Sequence, residues 1–519
     1  MNRRRSLYWK IGYLGAMIPL LMLTSWLARP AAPGAGQEAG KLARLREEHG
    51  LTQTRLGEID PASETMKLAT LGMRGVAVHI LWLKAVDYQK KKDWTNLSAT
   101  AQQIAKLEPH FVSVWRYQCW NLSYNVSVEF DDYRERYRWV IRGIEFLGEG
   151  IRHNRREPVL VWDTGWFTSQ KIGRSDERAL FRPMFKKDDD FHDKLPFFAQ
   201  DPTRDNWLVG KRWFRRVLEL VREGARMRGT SPVVYHSDAP MCQMNYSEAI
   251  EGEGTFGEVA RRAWRQASRE WYEFGKDSIP TSYGVSVRLN DLDTDPDFDT
   301  PDEKERSRDY QRIAREAHEQ LRALDPALTE TLVAQRRAVL SAAQREALDV
   351  PADQRNAEQS RLAGEAEQLL RLSNQDIARR IKGELRGRAQ EIAKRGDEAE
   401  EMASIIRRYR DIVNFDFWRE RAKMEQREET VRARELIHRG KTAQESGDLM
   451  AARDAYREGF ALWRQALDRH PAMIENGVLG DDLLEVIGDY RRLLNQLDEP
   501  FDSDAFILKD IIEKRSRDG

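Results

Sequence analysis

Residues 436–460 read LIHRGKTAQESGDLMAARDAYREGF, and this stretch has the spacing of a helical hairpin with its turn at Gly447-Asp448. Part of the same pattern recurs near the other end of the chain, in Ala85, Tyr88, Asp93 and Pro109. A single hairpin of this kind cannot bury its apolar face and needs stacked neighbours. The stretch therefore predicts an all-α scaffold. The positions that define its spacing are Gly440, Gly447, Asp448, Ala452, Tyr456 and Gly459.

The composition agrees with a helical protein of more than one domain. The chain has 519 residues, which is long enough for two or three domains with cores of their own. Charged residues make up 33% of it, and 85 basic side chains balance 85 acidic ones. A nucleic-acid-binding protein would show a clustered basic excess, so nucleic acid is not expected as a partner. The balance is typical of amphipathic helices with salt-bridged outer faces.

The N-terminus has the pattern of a membrane anchor. Basic residues precede position 11, and residues 11–28 then run without a charge. Eighteen residues at helical rise reach roughly 27 Å, close to the hydrocarbon thickness of a bilayer. The basic flank is expected to stay in the cytoplasm, which places the chain after Arg29 on the other side of the membrane.

Two other interpretations of this segment stay open. Small residues at 31–36 offer a signal-peptidase site, although Pro30 and Pro33 disturb the nearest cleavage frames. Twin-arginine export through Arg4-Arg5 is the third interpretation, and no cofactor is expected that would require folding before export. In each case the bulk of the chain is exported.

Turn signals and composition divide the chain into six segments. Eleven of the fifteen tryptophans lie between Trp82 and Trp271, which places the main apolar core in the N-terminal half. The segments are 1–29, an anchor or signal segment; 30–67, a tether and lead-in; 68–280, a Trp-rich domain of degenerate helical repeats; 281–300, an acidic linker; 301–410, a charged helical arm; and 411–519, a C-terminal helical domain.

Local patterns within these segments predict individual elements. We expect long loops at 186–206 and 226–255, a helix over Trp207–Val221 between them, and a further helix over Phe256–Phe274. A capping box at 300–303 predicts the start of the arm. The arm carries a narrow apolar stripe that is typical of an antiparallel coiled coil, and it offers a face for homo-oligomerisation. The stripe consists of Leu369, Ile377, Ile381, Leu385 and Ile392.

The hairpin at 436–460 resembles the tetratricopeptide repeat family, which has small residues where two helices cross closely. Arg439 stands where a leucine is usual, Arg464 replaces the closing proline, and Pro471 follows seven residues later. The resemblance covers about a fifth of the chain, with one good repeat and one fair one. It implies an irregular superhelix of TPR-like hairpins rather than a regular solenoid.

The early segment also resembles a group of single-anchor bacterial envelope proteins with degenerate repeats. Its motifs are Gly72-Met73-Arg74-Gly75, residues 80–83, residues 107–111 and Trp120-Asn121-Leu122. Some relatives are described as iron-responsive, and no ligand set here supports that description. The resemblance implies a single-pass protein of the bacterial inner (cytoplasmic) membrane, with a cytoplasmic N-terminus and a periplasmic bulk.

Three motifs suggest chemistry, and the context of each argues against it. Residues 252–257, GEGTFG, fit the dinucleotide fingerprint, yet no βαβ unit precedes them. The acidic run at 291–302 alternates like a calcium loop, but Pro296 stands where the sharp turn requires glycine. His236-Ser237-Asp238 has triad residue types, but contiguous residues do not normally converge on one reacting atom.

The remaining reactive side chains form no recognisable site. The nine histidines are scattered, without an HExxH or CxxC pattern, so no catalytic, cofactor-binding or metal-binding residue is predicted. Cys119 and Cys242 form either one long-range disulfide or two buried free thiols.

The sequence thus predicts a membrane-anchored, extracytoplasmic scaffold or adaptor that binds other proteins and is not an enzyme. Two alternatives remain: an envelope enzyme or glycan-binding protein with a pocket in the Trp-rich half, and a calcium-regulated envelope protein. Tryptophans buried between helices would favour the scaffold, and exposed Trp and Asp converging in one cleft would favour the pocket.

Overall fold

A computed structural model describes residues 41–48, 74–293, 295, 298, 309–475 and 477–518, with a few residues between 15 and 26. The chain divides into two compact units, Met1–Thr230 and Ser231–Gly519. Both units are helical, and the strands among the described residues are two-residue segments, β1 (Ile279–Pro280) and β2 (Ser286–Val287), paired antiparallel. The all-α prediction is confirmed.

Most of residues 11–28, the predicted anchor, lie outside the described part of the chain. No helix among the described residues is long and apolar enough to cross a membrane.

The first unit consists of short and medium helices that alternate with tight turns. Aspartates cap several of them by accepting backbone N–H bonds, as at Asp93, Asp132, Asp188 and Asp205. Two helices continue into π-helical segments, Asn121–Val126 and Phe167–Lys171. The α-helices are α1 (Lys41–Glu48), α2 (Arg74–Lys90), α3 (Trp94–Leu107), α4 (Val112–Trp120), α5 (Tyr133–His153), α6 (Pro158–Trp166), α7 (Arg178–Lys186), α8 (Asp189–Lys194) and α9 (Asn206–Arg222).

Trp115 of α4 is 2% exposed and packs on the backbone of α5 at Gly150. Its indole N–H donates to the Pro109 carbonyl at 2.9 Å, and Asn154 donates to the same carbonyl at 2.7 Å. A Cβ built on Gly150 would lie 2.7 Å from Cγ of Trp115. Because the indole is buried and its N–H is bonded to this carbonyl, the ring cannot easily move away.

Gly150→Ala is therefore expected to destabilise the protein by about 1–3 kcal/mol through overpacking against Trp115. Gly148→Ala is the matched control, because a Cβ at Gly148 on the same helix meets no atom within 4 Å. There, alanine is expected to be neutral or to stabilise by up to about 1 kcal/mol. Urea unfolding of the full chain, followed by circular dichroism, measures both. Equal effects of the two substitutions would contradict the close contact.

The second unit contains longer helices and the hairpin quoted above. They are α10 (Pro232–Gly252), α11 (Gly257–Lys276), α12 (Tyr310–Leu324), α13 (Pro326–Val339), α14 (Ala342–Asp349), α15 (Ala357–Leu370), α16 (Asn374–Ala378), α17 (Leu385–Ile412), α18 (Phe415–Glu425), α19 (Glu428–Glu445), α20 (Leu449–Arg469), α21 (Ala472–Glu475), α22 (Gly477–Gln496) and α23 (Lys509–Asp518).

The loop predicted at 226–255 is wrong, because α10 occupies Pro232–Gly252. Pro232 stands in the first turn, where proline lacks only a hydrogen bond that the helix would not make. Burial of one side chain after another, from Val233 to Ile250, stabilises the helix despite an internal Pro240. Tertiary packing here outweighs a turn-like composition. The loop predicted at 186–206 is interrupted by α8.

The predicted hairpin corresponds to α19 and α20, which pack along each other in the second unit. Gly447 has φ +85, a conformation that favours glycine, and Asp448 caps α20 by accepting from the Ala451 N–H at 3.1 Å. A Cβ on Gly440 would lie 3.0 Å from the Tyr456 ring, so the missing side chain allows the two helices to approach closely.

The arm is built around α12 and α17, which pack against each other. Its buried side chains include Leu321, Leu332 and the predicted stripe residues Ile377, Ile381 and Ile392. The other two stripe residues, Leu369 and Leu385, are exposed. The capping box predicted at 300–303 lies outside the described residues.

Candidate functional site

An open groove of about 840 Å³ lies in the arm of the second unit. One face of α12 forms one side of it, and α17, residues 368–374 and Val333 of α13 form the rest. The α12 residues in the groove recur at the spacing of a single helix face. They are Gln311, Ala314, Arg315, His318, Glu319 and Arg322.

The groove is positively charged. Four arginines and two glutamates line it, which leaves a formal charge of +2 with His318 neutral. Arg371 pairs with Glu400 across the groove. Within the described part of the chain, Arg315, Arg322 and Arg407 are exposed and form no ion pair. These three guanidinium groups are therefore available to a ligand.

One wall of the groove, the segment 368–374, is held in place by Arg336. This side chain donates to the carbonyl of Leu369 at 3.2 Å and to that of Arg371, and it pairs with Asp376. The conformation of the wall is thus determined by hydrogen bonds rather than by apolar packing alone.

Asn374 joins the same wall to α12 and α17. It is 5% exposed, shares a hydrogen bond of 3.0 Å with Nδ1 of His318, and donates to Asp397 at 3.0 Å. A Cβ on Gly396 would lie 2.7 Å from its amide nitrogen, so glycine makes room for the amide. These contacts therefore hold the wall of the groove in a defined position.

A smaller cavity of about 480 Å³ lies in the first unit, beside the turn that precedes α9. Phe197 lines this cavity, and 90% of its surface is exposed. Both arginines that line it form ion pairs, Arg212 with Asp201 and Arg204 with Asp189. Burial lowers the pKa of His192, whose Nε2 lies 2.8 Å from the Phe185 carbonyl.

The glycine motif at 252–257 lies between two helices. Gly252 ends α10, Gly254 and Gly257 have φ values of +85 and +65, and α11 begins at Gly257. No βαβ unit surrounds it in the described chain. The glycines therefore serve an interhelical turn, as the sequence context indicated.

His236, Ser237 and Asp238 all lie on α10 and do not form a triad. His236 Nδ1 is 3.0 Å from Oδ2 of Asp277, whereas the Ser237 hydroxyl donates to the Val234 carbonyl of its own helix at 2.8 Å. The hydroxyl is thus directed to the backbone.

Two aspartates of the acidic run, Asp293 and Asp295, bind cationic side chains of the protein. Asp293 accepts hydrogen bonds from Arg410 at 2.8 Å and from Arg419 at 2.9 Å, and Asp295 pairs with Lys423 at 2.6 Å. Burial alone would raise the pKa of Asp293, but the two guanidinium groups outweigh it and hold this pKa well below its usual range. These carboxylates stabilise the fold as ion pairs. Among the described residues no cluster of metal-binding side chains occurs.

Cys119 and Cys242 are both buried, and they do not form a disulfide with each other. Burial raises the pKa of Cys119 well above its usual value, which disfavours the reactive thiolate.

The second unit contains a cluster of buried charged side chains that the sequence patterns did not predict. Arg434 donates to Glu425 at 2.7 Å, and its Nε lies 3.6 Å from Oε2 of Glu251. Glu425 is fully buried and Glu251 is 4% exposed. Burial raises the pKa of Glu251 to about 8, against the opposing effect of the Arg434 charge.

The sequence patterns did not identify the arginines of the groove either, because a charged helix face is usually exposed to solvent. The available signal was the seven-residue spacing of Arg315 and Arg322 on α12. No protein-family profile matches this chain, and no curated protein is similar to it in sequence.

Proposed function

We propose that this protein is a membrane-anchored helical adaptor that binds segments of other proteins on the extracytoplasmic side of a bacterial inner membrane. The observation that carries the proposal is the burial of several tryptophans between helices, although Trp120 is 45% exposed. Trp115, Trp213, Trp264 and Trp271 are each at most 3% exposed. Aromatic surface in the Trp-rich half is therefore used for packing, which favours a scaffold over a ligand pocket.

Contacts of these rings support a structural role. Trp115 lies 4.6 Å from Phe146, and Trp271 lies 5.6 Å from Phe274 and 6.0 Å from Phe415, measured between ring centroids. Such aromatic clusters stabilise helix contacts, with about 0.5–1.5 kcal/mol per pair beyond area burial. The rings hold helices in place and leave grooves between other helices open.

TPR-like organisation is part of the proposal. The pairs α2 with α3 and α19 with α20 pack as neighbours along the chain, with turns at Asp93 and Gly447-Asp448. Hairpins of this type present concave helical surfaces to peptide ligands. Anchoring through residues 11–28 would present those surfaces outside the cytoplasm. The cavity beside Phe197 is where a pocket-binding alternative would be sought.

Crosslinking and affinity capture from solubilised envelope membranes tests the function. A tagged full chain is expected to enrich the same protein partners in replicate captures, because the groove of the arm remains accessible. The matched control is a chain carrying both Arg315→Gln and Arg322→Gln. Absence of any reproducible partner with the wild-type chain would count against the adaptor function.

A further inference from the structure

We infer that the groove of the arm binds an acidic protein segment of about five residues in an extended conformation. The inference rests on the proposed function, since it names the chemistry of the segments that the adaptor would bind.

Charge complementarity identifies the class of partner. Arg315, Arg322 and Arg407 are exposed in the groove and, among the described residues, have no carboxylate partner. Guanidinium groups bind carboxylates with paired, charge-assisted hydrogen bonds. Three unpaired arginines in one groove therefore favour a ligand with several carboxylates.

The dimensions of the groove determine the length of the segment. Its α12 side extends from Gln311 to Arg322, which corresponds to roughly 16 Å at helical rise. An extended chain advances about 3.3 Å per residue, so this length accommodates about five residues. Arg315 and Arg322 lie roughly 10 Å apart along the helix. Carboxylates at the first and fifth positions of an extended segment share one face and lie about 13 Å apart, a distance that the long arginine side chains can span.

The remaining lining favours a protein segment over a denser polyanion. Val333, Leu370 and Leu372 provide apolar contacts, and Gln311 and Gln368 offer amide groups for a peptide backbone. The lining carries a net charge of only +2, which matches a segment with a few carboxylates better than a nucleic acid, in which every linkage carries a negative charge. A segment with acidic and apolar residues matches both parts of the lining.

The wall of the groove is positioned before any ligand binds. Arg336 holds the backbone of Leu369 and Arg371, and the buried Asn374 amide joins this wall to α12 and α17. A ligand therefore does not have to order the wall, which lowers the entropy lost on binding.

Fluorescence anisotropy of the full chain with labelled peptides tests the inference. The probe is a synthetic peptide with two glutamates four positions apart and leucine between them. The control probe has glutamine in place of each glutamate. Binding of the acidic peptide is expected to be at least about tenfold tighter and to weaken as NaCl rises, because solvent-exposed ion pairs are screened.

Arg315→Gln combined with Arg322→Gln is expected to weaken binding of the acidic peptide by about tenfold. The matched control combines Arg386→Gln and Arg388→Gln, which removes two exposed charges of α17 outside the groove lining. This control is expected to bind as the wild type does. Circular dichroism of both variants confirms that each is folded.

Equal binding of the acidic and neutral peptides, or equal loss in the two variants, would overturn the inference. So would tighter binding of a single-stranded oligonucleotide than of the acidic peptide. If acidic peptides fail while affinity capture still recovers partners, only the groove assignment is wrong. If peptides bind and capture recovers none, the groove assignment stands and the adaptor function is wrong.

Discussion

Replacing Asp205 by alanine is expected to destabilise the first unit by about 3–5 kcal/mol, because the substitution leaves a buried charge without its partner. Asp205 is 1% exposed and accepts a hydrogen bond from Arg182, itself 4% exposed, at 3.0 Å. The same carboxylate caps α9 by accepting from the Trp207 N–H at 3.0 Å. One substitution thus removes a buried ion pair and a helix cap.

Asp132→Ala provides the matched control. Asp132 caps α5 in the same way, accepting from the Arg134 N–H at 2.8 Å, but its side chain is 51% exposed. Loss of an exposed cap typically costs about 1 kcal/mol. Hydrogen exchange of the full chain, read on peptides from α9 and α5, measures both changes. A cost at Asp205 no larger than at Asp132 would contradict a stabilising role for the buried pair.

Glu251→Gln is expected to stabilise the protein at pH 8 by a few kcal/mol and to have little effect near pH 5. Burial raises the pKa of Glu251 to about 8 in the folded protein, compared with about 4.5 for an exposed glutamate. Between these two values the unfolded chain releases a proton that the folded protein retains. Stability of the wild type therefore falls as pH rises through this window, by about 1 kcal/mol per pH unit.

Glutamine resembles the protonated carboxyl and does not titrate, so the variant lacks this loss of stability. Urea unfolding of the full chain between pH 5 and pH 9 measures the difference. Glu273→Gln is the control, because it removes an exposed glutamate of the neighbouring helix α11, and its effect is expected to stay below about 1 kcal/mol. A difference between Glu251→Gln and the wild type that does not change with pH would show that Glu251 is already ionised in the fold.

Several features were predictable because their causes are local. The turn at Gly447-Asp448, the helix near Trp207–Val221 and the helix after Phe256 depend on capping, glycine conformation and apolar spacing within a few residues. The helix at Pro232–Gly252 was not predictable, because its composition resembles a loop and its stability comes from burial against other helices. Leu369 and Leu385 show the same limit, because their apolar spacing predicted a packed stripe and the structure leaves both side chains exposed.

Residues close together in the chain were enough to predict that this protein is helical and where the turns at Asp93 and Gly447-Asp448 lie. Only the tertiary structure decided which charges are paired. Arg407 joins Arg315 in one groove from 92 positions away, and Glu251 meets Arg434 from still farther. Whether an arginine is solvated, paired or available to a ligand depends on its neighbours in space, and those neighbours are set by the packing of helices that the sequence pattern does not specify.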